Sequence, residues 1–152
     1  MENNHFKKTV EITPDICDGY CNGLQALKAN AAKVVANEPR KLDGSVDIDA
    51  CTLELYPAEP RWDYVIGYED HAYFLEVHPA NTSNVNEMIR KADWLKQWLK
   101  QKAPALKRLA ANDTLYWIPS GKYAIRPGSP QYRKLAQSRI LLVSLLHLPV
   151  KA

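Results

Sequence analysis

Acidic residues all but disappear from the last third of this chain. Residues 102–152 hold Asp113 alone against nine lysines and arginines, whereas the 101 residues before them hold eleven basic and sixteen acidic ones. A basic segment on a mildly acidic body points to an anionic partner, nucleic acid or another polyanion. Cysteine is scarce as well. Cys17, Cys21 and Cys51 are odd in number and show neither a Cys-x-x-Cys pair nor a Cys/His zinc spacing. That argues against a disulfide scaffold or a zinc finger and for free thiols. No apolar run approaches the ~18 residues of a membrane span. Residues 1–8 lack the apolar core of a signal peptide, so no membrane contact is expected and the cytoplasm is the expected compartment. Internal repeats and low-complexity stretches are also missing.

What is present describes an ordinary globular chain of 152 residues, 46% hydrophobic and 24% charged, expected to form a single domain over 1–152. Residues 1–12 read as a lead-in. Thr13-Pro14 resembles a helix start, and Ile16, Tyr20, Leu24, Leu27, Ala31, Val34 and Val35 then recur at three- and four-residue steps, which predicts a helix to about Ala36. Leu42-Asp43-Gly44-Ser45 reads as a turn, and Val46 to Tyr56 as a strand. Two further strands are predicted near 62–68 and 72–78. A helix over about 84–100 follows, with Val85, Met88, Ile89, Ala92, Leu95 and Leu99 as its buried stripe and Trp94 and Trp98 packing at the stripe's edge. A helical turn after Pro104, a strand near 114–118, a helix over 130–137 and an apolar stretch over 139–148, compatible with strand or helix, complete the chain. The order is α-β-β-β-α-β-α-β.

The strands at 62–68 and 72–78 carry the chemistry. A turn centred between Glu69 and Asp70 places Asp63 opposite Glu76 on one face of the sheet, and the pleat puts His78 on that same face. Two carboxylates suit a magnesium ion, which takes oxygen ligands and keeps several waters. With no cation between them they repel, and one holds its proton more tightly. Candidate compensators are a metal, Arg61 opposite His78, Lys91 on the following helix, or water. An ordinary surface row of Asp, Glu and His with Arg61 in a salt bridge is the alternative. Asp47 and Asp49 join the group if their strand lies beside the hairpin; Asp15 and Asp18 are read as favourable charges at the start of the first helix.

This order, with Asp63 on the second strand and Glu76-Val77-His78 on the third, resembles the PD-(D/E)xK nuclease superfamily over roughly residues 14–120. The resemblance implies an αβββαβ core, restriction-endonuclease-like, with a mixed sheet flanked by helices. Residues 121–152 would be a basic extension with a C-terminal helix and an apolar strand or helix. It further implies a magnesium-dependent phosphodiesterase in which Asp63 and Glu76 hold the metal. The family carries lysine where this chain has His78. Three readings of that departure stay open: Lys91 or Arg90 supplies the charge from the helix, His78 serves as base or ligand, or the fold is kept and catalysis lost.

In the basic extension, Lys122, Arg126, Arg133, Lys134 and Arg139 are interleaved with Tyr123 and Tyr132. Phosphate contact needs such charge, and tyrosine faces stack on unpaired bases. The two expectations are therefore a nuclease-like protein acting on nucleic acid, and a non-catalytic binding, accessory or immunity-type module that meets an anionic partner through the same residues.

Overall fold

The computed structural model describes residues 4–121 and 125–150. In chain order the elements are α1 (His5–Glu11), β1 (Val34–Ala36), β2 (Leu42–Asp47), α2 (Ile48–Thr52), β3 (Tyr64–Tyr68), β4 (His71–His78), α3 (Val85–Lys102), α4 (Pro104–Leu109), β5 (Leu115–Pro119), α5 (Pro130–Gln137), β6 (Ile140–Leu142) and β7 (Leu146–Leu148). Short 3₁₀ segments join several of them.

The central sheet has five strands in the order β2-β3-β4-β5-β6. β2, β3 and β4 form an antiparallel meander, and β5 and β6 continue it in parallel. A second, two-stranded sheet pairs β1 with β7 in parallel. The five-stranded mixed sheet flanked by helices agrees with the expected mixed α/β class. The alternation of side chains splits the interior into two cores. On one face Val65, Phe74 and Trp117 meet α1, α3, α4 and α5 through Phe6, Val10, Leu95, Leu99, Leu106 and Leu135. On the other, Ile66, Tyr73, Leu75 and Tyr116 meet the 25–33 segment and the small sheet through Leu27, Val34, Leu146 and Leu148.

The β3–β4 hairpin has the expected register: Tyr64 pairs with Leu75, Val65 with Phe74, and Tyr68 with His71. Its two turn residues, Glu69 and Asp70, have φ of 49° and 64°, the left-handed pair that a tight two-residue loop requires. The α3 helix also follows the expected stripe, with Val85, Met88, Ala92, Leu95, Trp98 and Leu99 buried. Trp94 stacks on Trp98 with ring centroids 5.7 Å apart, so the pair is packed and not a free platform.

Four expectations are corrected. The lead-in contains a helix, α1, capped by Asn4, whose side chain accepts a hydrogen bond from the Lys7 N–H, and it buries Phe6 and Val10. The long helix expected from Thr13 to Ala36 is replaced by 3₁₀ pieces at Pro14–Ile16 and Gln25–Lys33, the second broken at Lys28 (φ 51°), and then by strand β1. Its apolar spacing imitates a helix, but a Cβ at Gly19 would overlap Cys51 Sγ, so the chain is pressed flat there against α2. Finally, the turn expected at 42–45 belongs to β2, which carries an irregularity between Leu42 and Gly44. The strand expected over 46–56 gives way at Asp47, whose carboxylate accepts the Ala50 N–H and starts α2. The apolar stretch over 139–148 forms the two short strands β6 and β7.

Candidate active site

The last regular pair of the hairpin is Tyr64 with Leu75. Beyond it, two carboxylates take over the ladder. The Asp63 N–H donates to Glu76 Oε1 at 2.9 Å, and the Val77 N–H donates to Asp63 Oδ2 at 3.0 Å. Asp63 and Glu76 therefore lie across from each other, as the register expectation required, and each accepts a main-chain hydrogen bond from the facing strand. The corner between β2 and α2 closes over the pair, because the Ile48 N–H donates to the Asp63 carbonyl at 2.8 Å.

Glu76 is completely buried. Its position matches that of Phe74, so it faces α3, and Lys91 of that helix reaches it: Lys91 Nζ lies 2.5 Å from Glu76 Oε2. His78 does not occupy this place. Its Nε2 pairs with Glu87 Oε1 at 3.0 Å, and its Nδ1 stays 3.7 Å from Glu76 Oε2. The His78 carbonyl is held by the Trp117 indole N–H and the Ser120 N–H, which fixes the end of β4. The geometry brings Lys91 to Glu76 and turns His78 toward Glu87.

The electrostatics follow from burial. Burial, then the nearby Asp63, pushes the Glu76 carboxyl up to about 8, against the opposing pull of Lys91. Burial also raises Asp63, opposed by Lys91 and the Val77 N–H. For Lys91 burial works in the other direction, but Glu76 outweighs it and the ammonium is held more firmly than an ordinary lysine.

Arg61, expected beside His78, turns elsewhere. Its Nε pairs with Asp49 Oδ1 at 2.8 Å and its Nη1 donates to the Tyr56 carbonyl at 2.7 Å. Asp49 lies at the start of α2 with its N–H directed at the Asp63 carbonyl at 3.4 Å, so it stands beside the acid pair from a helix corner and not from the expected strand. Asp15 sits in the first turn of the Pro14–Ile16 3₁₀ segment and also clamps two aromatics: its half-buried Oδ2 accepts from the Tyr56 hydroxyl at 2.6 Å and from the Trp98 indole at 2.9 Å.

An ion at this place would have two carboxylates as donors, with both oxygens of Glu76 already engaged by the Asp63 N–H and Lys91. Two carboxylates face one another, and Asp63 Oδ1 accepts no hydrogen bond from a described residue. Among the described residues no group of three or more His, Cys, Asp or Glu side chains is gathered closely enough to hold an ion, so an ion here would rest on two carboxylates and water, a set that suits magnesium.

Lys134, among the basic residues of the last third, lies beside this site. Arg126, Arg133, Lys134 and Arg139 are exposed, and Lys122 lies outside the described residues. Arg133 Nη1 donates to the Gly128 carbonyl at 2.7 Å. Lys134 Nζ reaches Asn86 Oδ1 at 3.4 Å, next to the Glu87 that binds His78. The basic count over the last third includes Lys107 and Arg139 but not Lys96 and Lys100 of α3, and these four line one groove. The i, i+4 spacing of Lys96 and Lys100 on α3 was the signal that pointed to it. No helix among the described residues is long and apolar enough to cross a membrane. No family model matches the chain, and no curated protein and no solved structure matches it.

Proposed function

We propose that this protein is a metal-dependent phosphodiesterase of the PD-(D/E)xK type, acting on nucleic acid, with its cation supplied from the helix by Lys91. The observation that carries the reading is the Asp63–Glu76–Lys91 arrangement: two opposed carboxylates at the end of a hairpin, with an ammonium on one of them at 2.5 Å. The β2-β3-β4 meander followed by α3 supports it, as does the parallel pairing of β4 with β5, with β1, α2 and α4 as additional elements.

In this reading Asp63 and Glu76 hold a divalent ion, which would offset phosphate charge and lower the pKa of a bound water. Lys91 presents a fixed positive charge where negative charge grows on the phosphoryl oxygens. Its hydrogen bond to Glu76 aims the ammonium without the strand position that His78 occupies. Glu87 holds the His78 ring by Nε2, so His78 borders the site as a wall. The exposed cations Arg126, Arg133 and Lys134 supply sequence-independent phosphate contacts.

One observation favours a second reading. Glu76 is fully buried and already paired with Lys91, so the acid pair is compensated without an ion, as in a non-catalytic binding module. A cleavage assay separates the two. Single- and double-stranded DNA and RNA are incubated with magnesium or manganese and the wild type, Asp63→Ala, Glu76→Ala or Lys91→Ala. The nuclease reading expects cleavage by the wild type and its loss in all three variants. Absence of wild-type cleavage, or full activity in Asp63→Ala and Glu76→Ala, overturns it.

A further inference from the structure

A second feature of the molecule stands apart from the acid pair. At the C-terminal end of α3 a groove of about 370 Å³ is bounded by Lys96, Lys100, Lys107 and Arg139, with Asp113 its one acid. The four cations arrive from three places. Lys96 and Lys100 are one turn apart on α3, Lys107 comes from α4, and Arg139 follows α5 in a left-handed conformation with φ 63°. Lys96 donates to the Ser138 carbonyl at 2.9 Å. The side chains of Lys100, Lys107 and Arg139 make no hydrogen bond or ion pair with a described residue. Like charges one helical turn apart repel, and a concave surface lined by one sign concentrates its field. The fold thus holds together four positive charges with Asp113 as the one acid among the groove's lining residues.

The floor of the groove is different. Phe74, Leu99 and Leu115 are almost fully buried beneath it, and Gln97 and Asn112 stand at its wall. Small-molecule sites combine such an apolar floor with a few polar groups, and run from roughly 300 to 1,000 Å³. At 370 Å³ this one lies at the small end, large enough for one nucleotide and too small for a duplex. We propose that the groove is a nucleoside-phosphate site: Lys96, Lys100, Lys107 and Arg139 take the phosphates and the apolar floor takes the nucleoside. The ligand is either a free nucleotide or the 5′-phosphorylated end of a strand. The proposal does not depend on the acid pair, and its test contains no metal.

The test is calorimetric titration of the full chain with ADP in EDTA. Saturable binding is expected, with no binding of adenosine, since the cations then have no partner. Pyrophosphate is expected to bind about tenfold more weakly than ADP. Lys100→Glu and Lys107→Glu should each weaken ADP about tenfold or more, and Asp113→Asn should tighten it a few-fold. The gain in Asp113→Asn cannot arise from misfolding, and unchanged circular dichroism keeps the two losses interpretable. Competition by a 5′-phosphorylated oligonucleotide, but not by its 5′-hydroxyl form, identifies the strand end as the source; failure of both to compete identifies the free nucleotide. No saturable ADP binding up to about 1 mM, or affinity unchanged in all three variants, overturns the site. Pyrophosphate binding as tight as ADP overturns the nucleoside half.

Discussion

Lys91 of α3 reaches across to the hairpin and meets Glu76 with Nζ 2.5 Å from Oε2. The carboxylate lies at the register position opposite Asp63, and the ammonium comes from the helix that covers that face. The strand alone would leave two acids facing each other in a buried place. The helix brings the compensating charge, which explains how His78 can stand two residues on and pair with Glu87 instead.

Removing one member of this pair strands the other. Above about pH 8, where Glu76 is ionised, Lys91→Met should cost about 3 kcal/mol of stability, since an uncompensated buried charge is expensive, and at lower pH, where Glu76 holds its proton, it should cost less. The double variant Lys91→Met/Glu76→Gln should recover most of it, because both partners are then uncharged. Urea unfolding with unchanged slope measures both. If the nuclease reading holds, cleavage falls at least ~10²-fold in Lys91→Met and is not recovered in the double variant.

The pH dependence has a definite sign. Glu76 has an ordinary value near 4.5 and a folded value near 8. A group raised in this way contributes stability that is fully present below 4.5 and is lost as pH rises through 8, with a slope of at most ~1.4 kcal/mol per pH unit. The melting temperature of the wild type should therefore fall relative to that of Glu76→Gln between about pH 5 and pH 8.5. Magnesium favours the ionised carboxylate, so it should raise the wild-type melting temperature more at pH 8 than at pH 5.5 and leave Glu76→Gln unmoved. A wild type and Glu76→Gln that run parallel across this range would contradict the assignment.

Packing offers a test of the part of the fold that was hardest to foresee. Gly67 of β3 lies under the Phe6 ring, and a Cβ there would come within 2.7 Å of Phe6 Cδ1. Gly67→Ala should cost about 1–3 kcal/mol by overpacking. Phe6→Ala should cost about 3–5 kcal/mol by opening a cavity. The two effects should be strongly non-additive, because the smaller residue makes room for the new methyl group. Thermal or urea unfolding of the four proteins checks the cycle.

The parts of the molecule that were legible in the sequence are those where local pattern and tertiary contact agree. Val65, Phe74 and Glu76 alternate with Ile66, Leu75 and Val77 because both faces of the sheet are covered, and the two-residue turn fixes the register. That is why Asp63 and Glu76 could be paired from sequence. Lys91 was legible as a candidate only, since nothing local decides whether a helix lysine turns toward the preceding strand or toward water. Ile16 and Leu27 are buried as their spacing suggested, yet the backbone that carries them is 3₁₀ and kinked. Gly19 and Gly44 decide this, by letting the segment approach Cys51 and Tyr20 closer than a side chain would allow. Phe6 and Val10 make a helix with one turn of apolar contact, too short for periodicity to reveal.

Nucleic-acid binding should trace to α5. Arg133 and Lys134 are exposed on it, and Lys134 reaches Asn86 beside the His78–Glu87 pair. A strand engaged at Asp63 and Glu76 would therefore run past both cations. Each phosphate contact contributes about one unit to the slope of log affinity against log salt. The double variant Arg133→Ala/Lys134→Ala should weaken binding of DNA or RNA about equally across sequences and flatten that slope by about 1–2. Fluorescence anisotropy at several salt concentrations, in EDTA, reads both quantities. The wild-type slope should be unchanged in Lys33→Ala, which removes a lysine from the 25–33 segment on the opposite face of the sheet. A double variant with the wild-type salt slope would remove α5 from the interface, because charge that does not meet phosphate has no counterions to release.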